Sequence, residues 1–310
     1  TVFAGTDEIP RDEVSAEIWM SLGIPKERIA YLGVEDNFWI AGESGPCGGD
    51  TEIFYFRSND EIPTVFDPKD ERWVEIWNNV FMEFNKQEDG KIVELASKNV
   101  DTGMGLERVV AVLEATDDNY QTSIWKEIIE SIEKVSGKSY KGNEHSMRII
   151  ADHIRTSVFI SADPAGIKPS NTDQGYILRR LIRRAIRHAK NLGIDTSMDW
   201  MEPIALEVIK KYENYYHEIK ENKEVVLEVL RNENTKFNRT LEKGLREFEK
   251  LLNHLDSDTI DKDNAFKLYD TYGFPIELTE EIAHEHHLKV DTKGFQEKFE
   301  AHQELSRTAS

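Results

Sequence analysis

Apolar and polar residues alternate with the period of β-strands through the first third of the chain. Residues 1–4 predict the end of a strand, and residues 51–56 and 72–85 predict two longer ones. A short strand is expected at 91–95, and a fourth leads into Asp101. Because loops and hairpin turns join these segments, we expect an antiparallel sheet.

Apolar residues at helical spacing appear first at 11–22, where Val14, Ile18 and Leu22 predict a surface helix. After about residue 120 the strand period ends and the helical period takes over. The expected fold class is therefore α+β, with a boundary near Asp117–Asp118 between a partial sheet domain at 1–118 and an all-α domain at 119–310. Helices are predicted at 122–136, 144–162, 173–192, 201–253, 263–269, 277–287 and 292–308.

Composition and charge narrow the classes of protein that fit. The chain has 310 residues, of which 39% are hydrophobic and 32% charged, and its formal net charge is -20. This balance predicts a soluble protein and argues against general adhesion to nucleic acids or anionic membranes, so a polyanionic partner would need a local basic patch. The single cysteine, Cys47, excludes an internal disulfide framework and a multi-cysteine zinc site and fits the reducing cytoplasm.

The start of the sequence and its apolar runs bear on targeting and on membranes. No apolar run approaches the roughly 20 residues of a membrane span. The start, Thr1-Val2-Phe3, is not a signal peptide and lacks an initiator methionine, and its pattern begins within a strand. We therefore expect no membrane partner, and we expect the chain to be a fragment.

Residues 100–110 place an acid, two glycines and an arginine at the predicted start of a helix. Gly103 and Gly105 permit close approach of the backbone, and the free amides of a first helical turn favour phosphate. Arg108 adds a permanent cation, and Asp101 is suited to an ammonium group. The stretch thus predicts adjacent sites for an anion and a cation, although a turn with a surface arginine would have the same spacing.

Residues 37–49 show neither a helix nor a strand period and predict a glycine-rich binding loop that carries Trp39. A turn packed by an ordinary core tryptophan fits the same residues. On the strand at 72–85 the period of 2 divides the side chains between two faces. The sequence does not say which face meets a ligand: one holds Asn78, Val80 and Met82, and the other holds Trp77, Asn79 and Phe81.

The helix predicted at 173–192 is basic in an acidic chain, with a formal charge of +6 between Lys168 and Lys190. Two interpretations of this basic helix remain open. Its arginines could form a phosphate-binding ridge, or the helix could dock through them on acidic neighbours. The predicted buried stripe is Leu178, Leu181, Ile182, Ala185, Ile186 and Ala189, and the arginines beside it are Arg180, Arg183, Arg184 and Arg187.

Two polar residues near this helix suit either capping or RNA recognition. Ser170 or Asn171 is a natural N-cap, and Asp270 could also cap a helix. An asparagine can equally donate and accept in the minor groove of an RNA helix, and an aspartate can accept from an exocyclic amine. The histidines give no ligand spacing typical of zinc, since Asp152 and His153 are adjacent and His284, His286 and His287 crowd a helix end, so we expect no protein-bound metal or zinc.

Four separate blocks resemble the alanyl-tRNA synthetases, a family of class II aminoacyl-tRNA synthetases. Asp101-Thr102-Gly103-Met104-Gly105-Leu106-Glu107-Arg108 resembles their motif 3. The other blocks, in the order of that family, are Asn37-Phe38-Trp39 with Gly42–Gly48, Ala151–Arg155, and Leu268–Pro275. The family continues Gly-Pro-Cys-Gly-Pro-Cys where this chain has Gly45-Pro46-Cys47-Gly48-Gly49-Asp50, so a second cysteine has no role here.

The resemblance implies an ATP-dependent ligase that forms alanyl-adenylate and transfers alanine to tRNA. Asp101 and Arg108 would be the catalytic residues, Asp101 holding the alanine ammonium and Arg108 the ATP phosphates, which Mg²⁺ bridges. Trp39, Val80 and Gly103 would complete the alanine pocket, and Gly103 and Gly105 would let the backbone approach ATP. The resemblance also implies that Asn171 and Asp270 grip the G·U pair of the alanine tRNA acceptor stem, with Arg180, Arg183, Arg184 and Arg187 as further tRNA contacts.

Motif 1 and the arginine of motif 2 lie before Thr1 in this family, and its editing domain lies after Ser310. We therefore expect the C-terminal part of a class II sheet with its motif 3 helix and the helical tRNA-recognition domain, inactive alone and needing a missing N-terminal catalytic segment. The alternative is a non-catalytic tRNA-binding fragment or one subunit of a split synthetase.

Overall fold

The computed structural model describes residues 1–255 and 257–308. They form two compact units, unit 1 at Thr1–Lys126 and unit 2 at Glu127–Ser310. Unit 1 is built on a sheet and unit 2 is largely helical, which confirms the α+β fold class.

The strands of unit 1, which is described without a gap, are β1 (Val2–Phe3), β2 (Tyr31–Leu32), β3 (Phe38–Ile40), β4 (Gly45–Phe56), β5 (Trp73–Lys86) and β6 (Ile92–Met104), and its helices are α1 (Glu13–Ser21), α2 (Val34–Asn37) and α3 (Leu106–Leu113). The six strands form one sheet in the order β2-β1-β4-β5-β6, with β3 paired to β4. Every pairing is antiparallel except that of β1 with β2, so the expected antiparallel sheet is confirmed.

Two strand predictions for unit 1 were wrong. Residues 45–49 belong to β4 and pair with β3, so the expected binding loop is largely sheet. The strands expected at 91–95 and before Asp101 are one strand, β6, which stays paired with β5 across an irregularity between Met82 and Phe84. In both places the hydrogen bonds to β5 override local residues that favour turns.

Helix α1 confirms the predicted surface helix, but its apolar stripe faces solvent. Val14 and Leu22 are 68% and 69% exposed, whereas Ser15 and Ala16 are buried. Trp19 anchors the helix, because its Nε1 donates to Thr51 Oγ1 of β4 at 2.8 Å.

The described part of unit 2 consists of helices and one short parallel strand pair. A helix predicted at 201–253 is in fact three helices, and no glycine or proline marks the breaks. Aromatic packing of Phe159 against Tyr212 and Tyr216, with ring centroids 5.2 and 5.1 Å apart, fixes the turn between the first two. The elements are α4 (Lys126–Ser136), α5 (Glu144–Ala162), α6 (Asp173–Asn191), α7 (Met201–Tyr212), α8 (His217–Glu221), α9 (Lys223–His254), β7 (Thr259–Ile260), α10 (Lys262–Tyr272), α11 (Ile276–Glu285), β8 (Lys289–Val290) and α12 (Thr292–Thr308).

The core of unit 2 follows the apolar face of α6, as its periodicity predicts. Leu178, Ile182 and Ala185 are at most 1% exposed, and Ile186 and Ala189 are fully buried. Leu181 is half-buried and completes the stripe at its edge. The burial places the arginines of α6 along the flanks of the buried face, next to neighbouring helices.

Candidate functional site

Residues predicted to bind an amino acid share one face of the sheet in unit 1. Val80 of β5 pairs with Asp101 of β6, and Asn78 pairs with Gly103. Side chains at opposed positions of an antiparallel pair point to the same side, as do alternate residues of one strand. Asp50 of β4 is the other neighbour of Val80. The register therefore places Asp50, Val80 and Asp101 in one row, with Gly103 beside it.

Trp39 joins this face through β3. It pairs with Gly48, which lies two residues before Asp50 on β4. Trp39 is 40% exposed and Val80 is 8% exposed. The face thus has an accessible aromatic wall and a buried apolar floor, beside the exposed carboxylate of Asp101.

Gly48 is required where β4 bends against β5. The pairing of these strands shifts between Cys47 and Asp50, and a Cβ on Gly48 would lie 1.7 Å from the carbonyl oxygen of Phe81. A side chain cannot fit at this distance, so glycine is needed for close approach rather than for loop freedom.

Two asparagines complete the polar side of this face. Asn37 is fully buried and donates through Nδ2 to Asp50 Oδ1 at 2.7 Å, while burial raises the pKa of the Asp50 carboxyl. In unit 1, the Oδ1 atoms of Asn37 and Asn78 are buried acceptors without a hydrogen-bond partner. Unpaired acceptors beside carboxylates suit a ligand that donates hydrogen bonds, such as an ammonium group. No role was predicted for these two amides, because only the strand register brings them next to Asp50.

Arg108, in the first turn of α3, lies at the edge of this face. Its Nη1 donates to the Glu75 carboxylate at 2.6 Å and to the Glu75 carbonyl at 3.0 Å. In unit 1 its Nε and Nη2 groups make no hydrogen bond, and the side chain is 45% exposed. Gly105 makes room for it, since a Cβ there would lie 3.1 Å from Arg108 Cδ. The arginine is held at one nitrogen and keeps donors for an anion.

The arginines of α6 do not form the free basic ridge that was one interpretation of the sequence. Arg183 is bound to Glu233 at 2.6 Å, and its side chain is 12% exposed. Arg187 is 6% exposed and contacts Glu281 and Glu285. Buried cations held by carboxylates cannot also meet a phosphate without breaking these pairs. For Arg183 and Arg187 the structure therefore supports the alternative, a helix docked on acidic neighbours.

Arg180 and Arg184 differ from these two, because about a third of each side chain is exposed. Arg180 pairs with Glu277 at 2.7 Å, and Arg184 pairs with Glu281 at 3.0 Å. All three guanidinium nitrogens of Arg184 have a partner in Glu281 or His153. The tRNA contacts of Arg180 and Arg184 stay predictions.

A buried polar network centred on Glu281 joins α6 to α11. Desolvation alone would raise the pKa of Glu281, but hydrogen bonds from His188 and Arg184 overcome it and lower this pKa to about 2. His188 Nε2 lies 2.9 Å from Glu281 Oε1, and burial lowers the pKa of His188. His145 also lies close enough for His145, His188 and Glu281 to hold a metal ion, a grouping that the sequence did not predict. We assign the cluster to packing, because Arg184 and other cations already neutralise the carboxylate.

Asn171 and Asp270, far apart in the sequence, line one open cavity of about 400 Å³ in unit 2. Neither caps a helix as the alternative interpretation expected. The N-cap of α6 is Thr172, and Asp270 lies in the last turn of α10, where a carboxylate faces the negative end of the helix. The other lining residues are Thr172, Tyr176, Arg179, Arg183, Tyr269, Gly273, Pro275, Phe299 and His302.

Comparison with known proteins decides the family. The family model for tRNA synthetases class II (A) matches residues 5–310. The chain belongs to the class II tRNA synthetases. The resemblance seen in the four sequence blocks is thereby confirmed.

The similar curated proteins are alanine–tRNA ligases. One from Treponema denticola is 50% identical over 319 residues, which cover 100% of this chain and 53% of that protein. One from Borrelia hermsii is 47% identical over 313 residues, covering 99% of this chain and 52% of that protein. One from Treponema pallidum is 44% identical over 316 residues, which cover 99% of this chain and 52% of that protein. The chain therefore spans about half the length of the curated relatives it matches.

In this class II synthetase chain, no helix among the described residues is long and apolar enough to cross a membrane.

Proposed function

We propose that this chain is part of an alanine–tRNA ligase, in which unit 1 binds alanine and ATP and unit 2 reads the acceptor stem of alanine tRNA. The observation that carries the proposal is the shared cavity of Asn171 and Asp270. It presents an amide and a carboxylate to one ligand, at positions that the family resemblance assigns to a G·U pair.

The sheet face of unit 1 supports the alanine site. Asp101 would pair with the ammonium group, because it is an exposed carboxylate in the same row as the buried Val80. Trp39 and Val80 would close the pocket around a small side chain. Gly103 has open space where a Cβ would stand, which leaves room for the substrate at the end of the row. Asn78 adds its unpaired Oδ1 as a second acceptor for the ammonium group.

Arg108 supports the ATP site. Its unpaired Nε and Nη2 donors form part of a planar fork, which matches the oxygens of a phosphate. The proposed backbone approach at Gly103 and Gly105 would bring ATP against the start of α3. Mg²⁺ takes oxygen ligands, and the Glu75 carboxylate, which contacts Arg108, fits such an ion. Bound with ATP, the ion would offset phosphate charge.

The proposed chemistry needs no protein nucleophile. The alanine carboxylate attacks the α-phosphate of ATP, pyrophosphate leaves, and a ribose hydroxyl at the tRNA end then takes the alanyl group and releases AMP. The side chains described above would act by orienting the reactants and by stabilising charge. Asp101 would hold alanine by its ammonium group, which does not react in this step, and Arg108 would hold ATP by its phosphates.

Asp101→Asn tests the alanine site in a protein of the relatives' length that carries this sequence. The amide cannot neutralise an ammonium group, and a charged hydrogen bond contributes roughly 1.5–3 kcal/mol. The KM for alanine in pyrophosphate exchange should rise about 10- to 150-fold, while the KM for ATP changes little. An equal rise for both substrates would show that Asp101 is structural.

A binding experiment with this chain tests the RNA site. Two RNA hairpins that differ only in one pair, G·U or G·C, are titrated against the chain at several salt concentrations. We expect tighter binding of the G·U hairpin by roughly 1–3 kcal/mol, the usual scale for one base pair. Because the net charge of -20 opposes RNA binding, the titration starts at low salt. Loss of this preference in Asn171→Ala and in Asp270→Ala would support the proposal, and an unchanged preference in both would refute it.

A further inference from the structure

The side chain of Arg179 on α6 is fixed by three partners at the wall of the cavity that holds Asn171 and Asp270. Its Nη1 donates to Asn171 Oδ1, and its Nη2 donates to the Pro169 carbonyl at 3.1 Å. Its Nε lies 3.4 Å from Glu233 Oε1, and the side chain is 17% exposed. Two hydrogen bonds hold the planar guanidinium at Nη1 and Nη2, and Nε makes an ion-pair contact without a hydrogen bond. These contacts restrict the rotation of the side chain.

The contact determines which way the Asn171 amide points. A guanidinium has donors and no acceptor, so the amide atom that faces Arg179 must be the oxygen. The Nδ2 group is then turned away from Arg179. Among the described residues, this Nδ2 makes no hydrogen bond, and Asn171 is exposed at the cavity. The amide is therefore presented as a donor.

Asp270 presents the opposite polarity to the same cavity. Its carboxylate can only accept when ionised, and its Oδ1 lies 3.7 Å from Nε2 of His302. A complementary ligand offers an acceptor to Asn171 and an amine to Asp270. The minor-groove edge of a G·U pair does so, because uracil O2 and guanine N3 accept, and the guanine 2-amino group makes no hydrogen bond to uracil.

We propose that Arg179 is a positioning residue that locks Asn171 with its amide donor facing the cavity, and that this lock contributes to the preference for G·U. The inference rests on the proposed RNA site and deepens it. Arg179 does not read the base pair itself. It removes the alternative amide orientation, in which an oxygen would face the acceptors of the base pair and repel them.

The test uses Arg179→Lys, because lysine keeps the charge near Glu233 but lacks the fork that reaches both Asn171 and Pro169. The readout is the ratio of the dissociation constant for the G·C hairpin to that for the G·U hairpin, which exceeds one when G·U is preferred. A partly unfolded preparation changes both constants by the same factor, so the ratio reports orientation rather than folding. We expect the ratio to fall roughly 2- to 12-fold, the range of one net hydrogen bond.

A double-mutant cycle separates this role from a structural one. In an Asn171→Ala background, Arg179→Lys should change the ratio less than twofold, because no amide remains to be positioned. Arg231→Lys is the matched control, since Arg231 is ion-paired in the same unit with Asp199 and Glu202 and does not line the cavity. It should leave the ratio unchanged.

The outcomes distinguish this inference from the proposed function. If Asn171→Ala lowers the ratio and Arg179→Lys does not, the positioning role is refuted while the RNA site stands. An equal effect of Arg179→Lys with and without Asn171 also refutes it. If neither Asn171→Ala nor Asp270→Ala changes the ratio, the proposed RNA site itself fails.

Discussion

Arg183→Ala separates a docked helix from a phosphate-binding ridge. Arg183 is 12% exposed and Glu233 is 2% exposed, so the substitution leaves a buried carboxylate without its closest cation. Breaking a buried ion pair costs about 3–5 kcal/mol. Because Arg179 Nε still lies 3.4 Å from the same oxygen, we expect the lower end, about 3 kcal/mol. This is a large share of the stability of an ordinary domain.

Urea unfolding followed by far-UV circular dichroism measures the loss. The midpoint should fall clearly for Arg183→Ala and little for Lys190→Ala, whose partner Glu242 is exposed. Arg183→Met combined with Glu233→Met should lose less stability than the two single changes added together, since it removes both charges. If Arg183 instead belongs to a phosphate-binding ridge, Arg183→Ala should leave the urea midpoint unchanged. The slope of the logarithm of the RNA-binding constant against the logarithm of salt concentration should then be flatter by about one unit. That result would refute our reasoning.

Three further substitutions test other parts of the structure. The pKa of Glu281 is lowered to about 2 in the folded chain, so ionised Glu281 stabilises the fold by up to about 3 kcal/mol. This stabilisation is fully present above the unfolded pKa near 4.5 and is lost as the pH falls towards 2. The difference in unfolding free energy between wild type and Glu281→Gln should therefore shrink between these pH values, and a constant difference would contradict the assignment. Gly48→Ala should lower the thermal midpoint by the equivalent of about 2 kcal/mol or more, since its Cβ would meet Phe81, whereas Gly33→Ala has open space and should not. Leu22→Gln should change stability by less than about 0.5 kcal/mol, because this side chain is 69% exposed, and a larger loss would mean that the stripe on α1 is covered.

Periodicity predicted most of the fold because the strongest patterns are local. The stripe on α6 and the alternation along β5 each lie within one element, so the sequence shows them directly. The breaks between α7, α8 and α9 could not be predicted, because they depend on packing of Phe159 against tyrosines from another part of the chain. For the same reason the sequence could not show that β4 begins at Gly45, because pairing with β3 and β5 determines where this strand starts.

The candidate sites show the same division between local and distant information. The motif around Asp101 and Arg108 is continuous, and its residue types already indicate the chemistry. The sequence could not show whether the α6 arginines are paired with carboxylates, because these partners are distant in sequence. Glu281, for example, lies 97 residues after Arg184. The role of Arg179 was missed entirely. Its signal, an arginine eight residues after an asparagine, is too common to stand out without the contact itself.

Replacing guanine by inosine in the G·U hairpin tests the central claim most directly, because inosine lacks only the 2-amino group. If the Asp270 carboxylate accepts from that amine, the wild-type chain should bind the inosine hairpin more weakly by roughly 1–3 kcal/mol. Asp270→Ala should bind the guanine and inosine hairpins equally. If the wild-type chain binds the two hairpins with the same affinity, the cavity of Asn171 and Asp270 does not read a G·U pair, and the assignment of unit 2 to alanine tRNA is contradicted.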